Sequence, residues 1–422
     1  MARLRESGIV RKLSALRRVT IRGLPQRDVV IYDSFSRRHL YPLLDMSMTV
    51  VFDLDFPKVN LWIALRSLAF GKPSSRTYLL AFLKQTRPKV VISTSDNSLD
   101  LYSIKSHFPD ICVIAIQNGR RNTFGPRPHS SFQSALASSS TRPAIDYYFT
   151  FGSTERVQFE PLVNAKFVAH GNLKNNYLAH ISLESAGRER TLSYISSFPN
   201  LSSGAPSSID SDLPTHFFGE SPISFRSYFS PEGTVAHFLT EYCRDRGLKF
   251  QVIGKRSSSQ PQERAYFQMA TCDPDLEYVP CDPESASYRA LIRSDYVVSI
   301  DSTLAYEMLG RGKRTAFLTM RASAIGIPDL RCPKFGFPEI TEESGPFWTN
   351  FDNAEEFTRV LDFVIDASET QWNETTSSII PKVMNLDPDN RQLFQLLGSL
   401  GVAHDGGIEE VRRRAKEVYG AE

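Results

Sequence analysis

Short apolar, β-branched runs alternate with helical stretches from Asp28 onward, and this alternation limits the folds open to the chain more than any other feature. Val29 to Tyr32, Thr49 to Phe52, Val90 to Ser93, Ile111 to Ile116 and Tyr147 to Phe151 have the length and composition of strands. Helical periodicity fills the intervals, as in Arg76 to Arg87 and Ser98 to Phe108. Strands that are apolar on both faces need cover on both faces, so the pattern predicts a parallel, Rossmann-like sheet between layers of helices. The pattern then repeats. Leu192 to Ile195, Lys249 to Gly254, Leu276 to Val279, Tyr296 to Ile300 and Thr315 to Leu318 read as strands, with helices at Pro231 to Arg246, Pro261 to Met269 and Pro283 to Arg293. The expected fold class is α/β, with two Rossmann-like domains facing a central cleft.

The expected organisation is a basic arm over residues 1–27, a first domain over 28–185, a second over 186–380 and terminal helices over 381–422 that return toward the first domain. A hinge is placed near Ala179 to Arg190, and Pro199 to Pro222, rich in Ser and Pro, reads as an exposed loop. The segment from Met320 to Asn350 has little periodicity but many aromatic residues, and is expected to cover the cleft.

A chain of 422 residues with 41% hydrophobic and 23% charged residues has the composition of a soluble globular protein with sizeable cores. A net charge of +2 supplies no global field for nucleic acid. The five cysteines are scattered without a CxxC pair, which suggests neither a zinc site nor a disulfide framework and fits a reducing, cytoplasmic compartment. No apolar run approaches the roughly 20 residues of a membrane span, and the start lacks the apolar core of a secretory signal. In the basic arm, Arg3, Arg5, Arg11, Lys12, Arg17, Arg18 and Arg22 interleave with Leu4, Ile9, Val10, Leu13, Leu16 and Val19. Such a segment either lies on an anionic membrane or acidic partner, giving peripheral contact with the inner face of the membrane, or packs on its own domain.

Ligands of open α/β sheets gather beyond the carboxyl ends of the strands. Asp33-Ser34, Asp53, Asp55, Ser95 to Asn97 and Asn118 within Gln117 to Arg121 fall there, although Asp, Asn and Gly also make turns for their own sake. His170, in KFVAHGNLKNNY, is either a hydrogen-bonded structural residue or a proton acceptor facing the cleft. In the second half, Gly254-Lys255-Arg256 offers amides and cations to a phosphate, or forms a solvated loop.

The most informative stretch is DYVVSIDSTLAYEMLGRGKRTAFL, Asp295 to Leu318. A strand ends at Asp301-Ser302-Thr303, a helix begins, and Glu307 follows about one turn in. Hydroxyls and free amides at a helix N-terminus suit a phosphate, and they equally suit simple capping.

Together with Gly310 to Lys313, Phe335 to Pro338 and Gly345 to Asn350, this stretch resembles bacterial surface carbohydrate biosynthesis proteins, which are related to GT-B glycosyltransferases and to non-hydrolysing nucleotide-sugar epimerases. The resemblance implies a GT-B-like, metal-independent and cofactor-free glycosyltransferase. Its donor is a nucleotide sugar and its acceptor a glycan or lipid-linked glycan of a surface polysaccharide, with no nucleic-acid partner. It places Ser302 and Thr303 on phosphate beside Gly254 and Asp301, Glu307 on ribose, Lys255 or Arg321 on the leaving phosphate, and Asp33, Asn118 or His170 toward the acceptor. Alternatives are an epimerase or CDP-alditol phosphotransferase-like enzyme of the same fold, or a non-catalytic assembly protein with a relic pocket. The chain departs from the phosphotransferase pattern at Asn118-Gly119, where a His-Gly pair is expected, and carries His170 where its group has a small residue.

Overall fold

The computed structural model describes residues 23–53, 60–121, 124–125, 132–180, 189–198, 211–282, 285–326 and 334–420. In chain order the first seven strands are β1 (Val29–Tyr32), β2 (Thr49–Phe52), β3 (Val90–Ser93), β4 (Cys112–Ile116), β5 (Phe124–Gly125), β6 (Ala144–Thr150) and β7 (Asn164–Ala169). They are followed by β8 (Thr191–Ile195), β9 (Pro214–Phe218), β10 (Ser221–Ser224), β11 (Lys249–Ile253), β12 (Glu277–Val279), β13 (Tyr296–Ser299), β14 (Arg314–Leu318), β15 (Ser344–Gly345) and β16 (Trp348–Thr349). The helices that matter below are α1 (Ser34–Leu40), α2 (Leu61–Ser67), α3 (Ser75–Thr86), α4 (Leu173–Tyr177), α5 (Phe225–Arg246), α6 (Ala286–Arg293), α7 (Thr303–Gly310), α8 (Arg391–Ser399) and α9 (Gly407–Tyr419).

A six-stranded sheet of order β2-β1-β3-β4-β6-β7 and a seven-stranded sheet of order β12-β11-β8-β13-β14-β16-β15 organise the two halves. All pairings are parallel except β15 with β16 at one edge. Side chains of a strand alternate between faces, and β1 shows the consequence. Val29 and Ile31 join a core that continues through Leu173, Met384 and Tyr419, whereas Val30 and Tyr32 join a second core with Leu79 and Phe82 of α3. Covered on both faces, β1, β3, β8 and β13 are buried along their whole length.

The halves are tied directly. Arg311 donates from Nε to Asn175 Oδ1 (2.6 Å) and from Nη2 to the Asn175 carbonyl (2.9 Å). Ser153 and Thr154 both donate to Glu339 Oε2, at 2.6 and 3.0 Å. The terminal segment packs on the first half: the Asn385 amide bonds the Phe151 carbonyl (2.7 Å), Asn176 Nδ2 bonds Asn390 Oδ1 (2.9 Å), and His404 Nε2 lies 2.9 Å from the Pro42 carbonyl. Gly171 sits at this seam with φ 86°, and a side chain there would overlap the Asn385 carbonyl.

Several local expectations are corrected. The helix expected over Ser98 to Phe108 is one turn, Leu99–Tyr102, because Tyr102 donates to the Asp96 carbonyl (2.7 Å) and turns follow. Helix α5 begins at Phe225, not Pro231: Ser224 Oγ accepts the Ser227 amide (3.1 Å), and Pro231 lies buried inside the helix. Part of the expected exposed loop is the β9–β10 hairpin, which pairs with β5 of the first half in a three-stranded antiparallel sheet. Among the described residues, none of the aromatic segment lines the cleft. Phe335, Phe347 and Trp348 are buried and stack with Phe317 and Tyr306 behind α7. Residues 1–22 of the basic arm, most of the expected hinge, and residues 199–210 lie outside the described residues, as does Asp55.

Candidate functional site

A cleft of about 580 Å³ opens where the carboxyl ends of the second sheet meet the first half. Its floor follows strand order, from Cys281 beyond β12, through Gly254 and Lys255 beyond β11 and Ser196-Ser197 beyond β8, to Asp301-Ser302 beyond β13. Asn118 and Lys174 reach it from the first half.

The turn after β13 is built locally. Ser299 Oγ accepts the Ser302 amide (3.1 Å), ending the strand, and Ile300 is pinned in the core. Ser302 is the N-cap of α7, yet its side chain makes no capping bond. The amides of Thr303 and Leu304 have no acceptor among the described residues, so they and the Ser302 hydroxyl face the cleft with the positive end of the helix dipole. Thr303 Oγ1 accepts the Arg120 amide across the seam (3.2 Å), and the Arg120 guanidinium lies 4.1 Å from the Tyr306 ring.

Lys255 retains solvent exposure at the cleft wall, yet the surrounding walls, and then the charge of Arg256, lower its pKa. Glu263 fixes the backbone beneath it, accepting the Lys255 and Arg256 amides at 2.9 and 2.8 Å. A side chain on Gly254 would overlap the Tyr278 hydroxyl, which itself donates to Glu263 (2.7 Å).

Glu307 is buried in the cleft wall, accepts a hydrogen bond from the Tyr288 hydroxyl and has its pKa raised to about 7. Burial is the cause, opposed by Tyr288, Lys174 and Arg311. The Lys174 ammonium, on α4 of the first half, lies 4.7 Å from the Tyr288 ring.

At the other end of the floor, His216 of β9 stacks flat on Tyr228 of α5, with ring centroids 3.8 Å apart. Its Nδ1 lies 3.0 Å from Thr215 Oγ1. Desolvation and then the nearby Arg321 charge hold its pKa at about 4, so the ring is neutral at ordinary pH.

Three residues singled out in the sequence do other work. Asp33 caps α1, accepting the Ser36 amide (2.7 Å), and does not line the cleft. His170 is fully buried, edge-on to Phe149 and 3.4 Å from Asp387, with its pKa pushed down to about 4 by burial, so it does not face the cleft. Arg321 is buried beneath the floor, where it donates to Asp301 Oδ2 (2.8 Å) and Glu232 Oε1 (2.7 Å) and lies under the Tyr228 ring (4.5 Å). It is too fully engaged to bind a leaving phosphate. Burial opposes ionisation of Asp301, but Arg321 outweighs it and keeps the carboxyl below its usual range. The structure brings Asn118, Gly254, Lys255, Asp301, Ser302, Thr303 and Glu307 together. Sequence reasoning missed Lys174, His216, Tyr228 and Tyr288. Lys174 lay inside a motif already singled out, whereas a lone histidine after a polar stretch gave no signal.

The model of the family described as "putative O-antigen biosynthesis protein" matches residues 114–400. The chain belongs to this O-antigen biosynthesis family. Comparison with curated proteins gives no match. Among solved structures, a UDP-N-acetylglucosamine 2-epimerase is similar at TM-score 0.50 and 13% identity, over 90% of this chain and 97% of that one. The UDP-GlcNAc 2-epimerase of Neisseria meningitidis bound to UDP-GlcNAc gives 0.49 and 11%, over 89% and 100%. The wall teichoic acid polymerase TagF gives 0.45 and 9%, over 92% and 89%. At these identities the likeness is one of fold, and this member of the O-antigen family has the two-sheet GT-B-like architecture.

Proposed function

We propose that this protein transfers a sugar from a nucleotide-sugar donor to a glycan or lipid-linked precursor of a surface polysaccharide. The observation that carries the reading is the start of α7, where the amides of Thr303 and Leu304 and the Ser302 hydroxyl, without partners among the described residues, face a cleft between two Rossmann-like halves. A diphosphate placed there accepts these donors, and Lys255 adds a cation as the phosphate leaves. The nucleoside then extends toward Glu307, Tyr288 and Cys281, where Glu307 takes the ribose hydroxyls. The sugar extends the other way, toward His216 and Tyr228. Membership of an O-antigen family supports a polysaccharide precursor as acceptor.

In this reading the neutral His216 takes the proton of the acceptor hydroxyl as its oxygen bonds to the anomeric carbon. The bond from that carbon to the diphosphate oxygen breaks, and the charge passes to the α7 amides, Ser302 and Lys255. Asn118 holds the acceptor from the first half. Incubating the protein with a panel of nucleotide sugars, with and without lipid-linked acceptor, tests this. Free nucleotide is expected only when acceptor is present; epimerised sugar without acceptor, or no binding of any nucleotide, overturns it.

A further inference from the structure

A second cavity, of about 540 Å³, lies at the amino ends of β8, β11 and β12 and shares no lining residue with the cleft. Helix α6 is the wall between the two. Ser287 and Tyr288 line the cleft, whereas Ala286, Arg289, Ala290 and Arg293, spaced by three, one and three so that they share one helical face, line the second cavity. Residues two apart on a strand also share a face, so Lys249 with Gln251, and Glu277 with Val279, present the opposite wall beside Thr191.

The floor of this cavity holds a buried polar group. Gln251 is 7% exposed, and its Nε2 donates to Ser193 Oγ (2.7 Å) and Ser294 Oγ (3.2 Å). Both serines have other uses for their own hydrogens: Ser294 Oγ donates to the Ala290 carbonyl (2.9 Å), which leaves Ser193 Oγ to donate to Ser294 Oγ. That arrangement sets the amide with its nitrogen toward the serines and its oxygen toward the cavity. Gln251 Oε1 has no partner among the described residues and is not closed off from the cavity. Polar groups buried this deeply are as a rule paired, so the oxygen calls for an N–H or O–H donor on a ligand.

Around that acceptor, Val279, Ala286 and Ala290 supply apolar surface, and the exposed charges ring it. Lys249 is paired with Glu277, and the Arg289 guanidinium donates to the Gly420 carbonyl. Arg293 is exposed and has no partner among the described residues. With Glu189 completing the rim, three cations stand against two acids. A buried acceptor, apolar walls and a guanidinium at the opening match a heterocycle with an N–H edge joined to an anion.

We propose that this cavity binds a nucleoside monophosphate, separately from the donor cleft. Gln251 Oε1 accepts from the base, Val279 and the two alanines cover the face of the ring, and Arg293 with Arg289 meets the phosphate. The site lies at the opposite ends of the strands from those at which open α/β sheets gather their ligands. It stands whether or not sugar transfer is the reaction.

Calorimetry of the full chain with AMP, CMP, GMP and UMP, each titrated alone, tests this. Ser302→Asp keeps a capping residue at the start of α7 and sets a carboxylate against any phosphate in the donor cleft. Arg293→Glu reverses the charge at an exposed position, and Ala290→Phe fills the cavity while leaving Gln251 and its serines in place. For at least one nucleotide, binding is expected that Ser302→Asp leaves within about twofold. Arg293→Glu and Ala290→Phe should each weaken that binding by about tenfold or more, the scale of one charged hydrogen bond. Circular dichroism establishes that the variants fold. The proposal is overturned when none of the nucleotides binds, when all binding disappears with Ser302→Asp, or when the binding that survives it is indifferent to Arg293→Glu or to Ala290→Phe.

Discussion

The Tyr288 hydroxyl donates a hydrogen bond to the Glu307 carboxyl in the wall of the cleft, and Lys174 of the opposite half stands over the same tyrosine ring. A carboxyl placed this way is costly to ionise, and its protonation is coupled to how the two halves meet.

Burial raises the folded-state pKa of Glu307 from 4.5 to about 7, so the folded state holds a proton that the unfolded state gives up. This contribution to stability is full below about pH 4.5 and is lost as pH rises toward about 7. A shift of this size corresponds to about 3 kcal/mol. Glu307→Gln keeps an acceptor for Tyr288 without the ionisation. Urea unfolding of both proteins between pH 4.5 and 8 should show the wild type losing stability relative to the variant as pH rises; parallel profiles would refute the assignment.

Ser302→Ala tests the anion site without disturbing the helix, since the serine side chain makes no capping bond. Loss of one hydrogen bond to a charged phosphate should weaken nucleoside diphosphate binding by about 1.5 to 3 kcal/mol. Calorimetry measures the affinity, and thermal melting should stay within a degree or two of wild type. Unaltered affinity would remove this hydroxyl from the site.

His216→Gln should leave donor affinity unchanged and lower turnover about a hundredfold to ten-thousandfold, the usual scale for a positioned general base. The wild-type pH profile of kcat/KM should have an acid limb near the histidine pKa of about 4, because only the neutral ring accepts a proton. That limb should vanish in the variant. A persisting limb would assign it to another group.

Arg321→Ala leaves Glu232 buried, and Asp301 in the cleft floor, without their cation. Breaking a buried pair this way costs about 3 to 5 kcal/mol, so chemical denaturation should show a stability loss of that order. Arg321→Ala with Glu232→Gln should recover part of it. A loss of nucleotide affinity at full stability would instead point to direct ligand contact.

Much of this architecture was open to reading in the residues. The β13–α7 junction was legible because its determinants are adjacent: an apolar run, a serine that turns the chain, and helical spacing to Glu307. The hairpin carrying His216 was not, because its pairing partner, β5, lies about ninety residues earlier and neither segment has a strong period of its own. The proline at position 231 was a misleading start signal, since the helix cap at Ser224 and the buried face of α5 outweigh one missing backbone bond.

The sequence by itself determined the succession of strands and helices, the two-sheet plan and the polar turn at Asp301 to Thr303, all products of short-range periodicity and capping. Tertiary structure decided which polar side chains stand in the cleft. Burial and partner choice turned Asp33 into a cap, His170 into a core residue and Arg321 into a counter-ion beneath the floor, and brought in Lys174, His216 and Tyr288. Those outcomes depend on desolvation and on contacts between residues far apart in the chain, which no local pattern records.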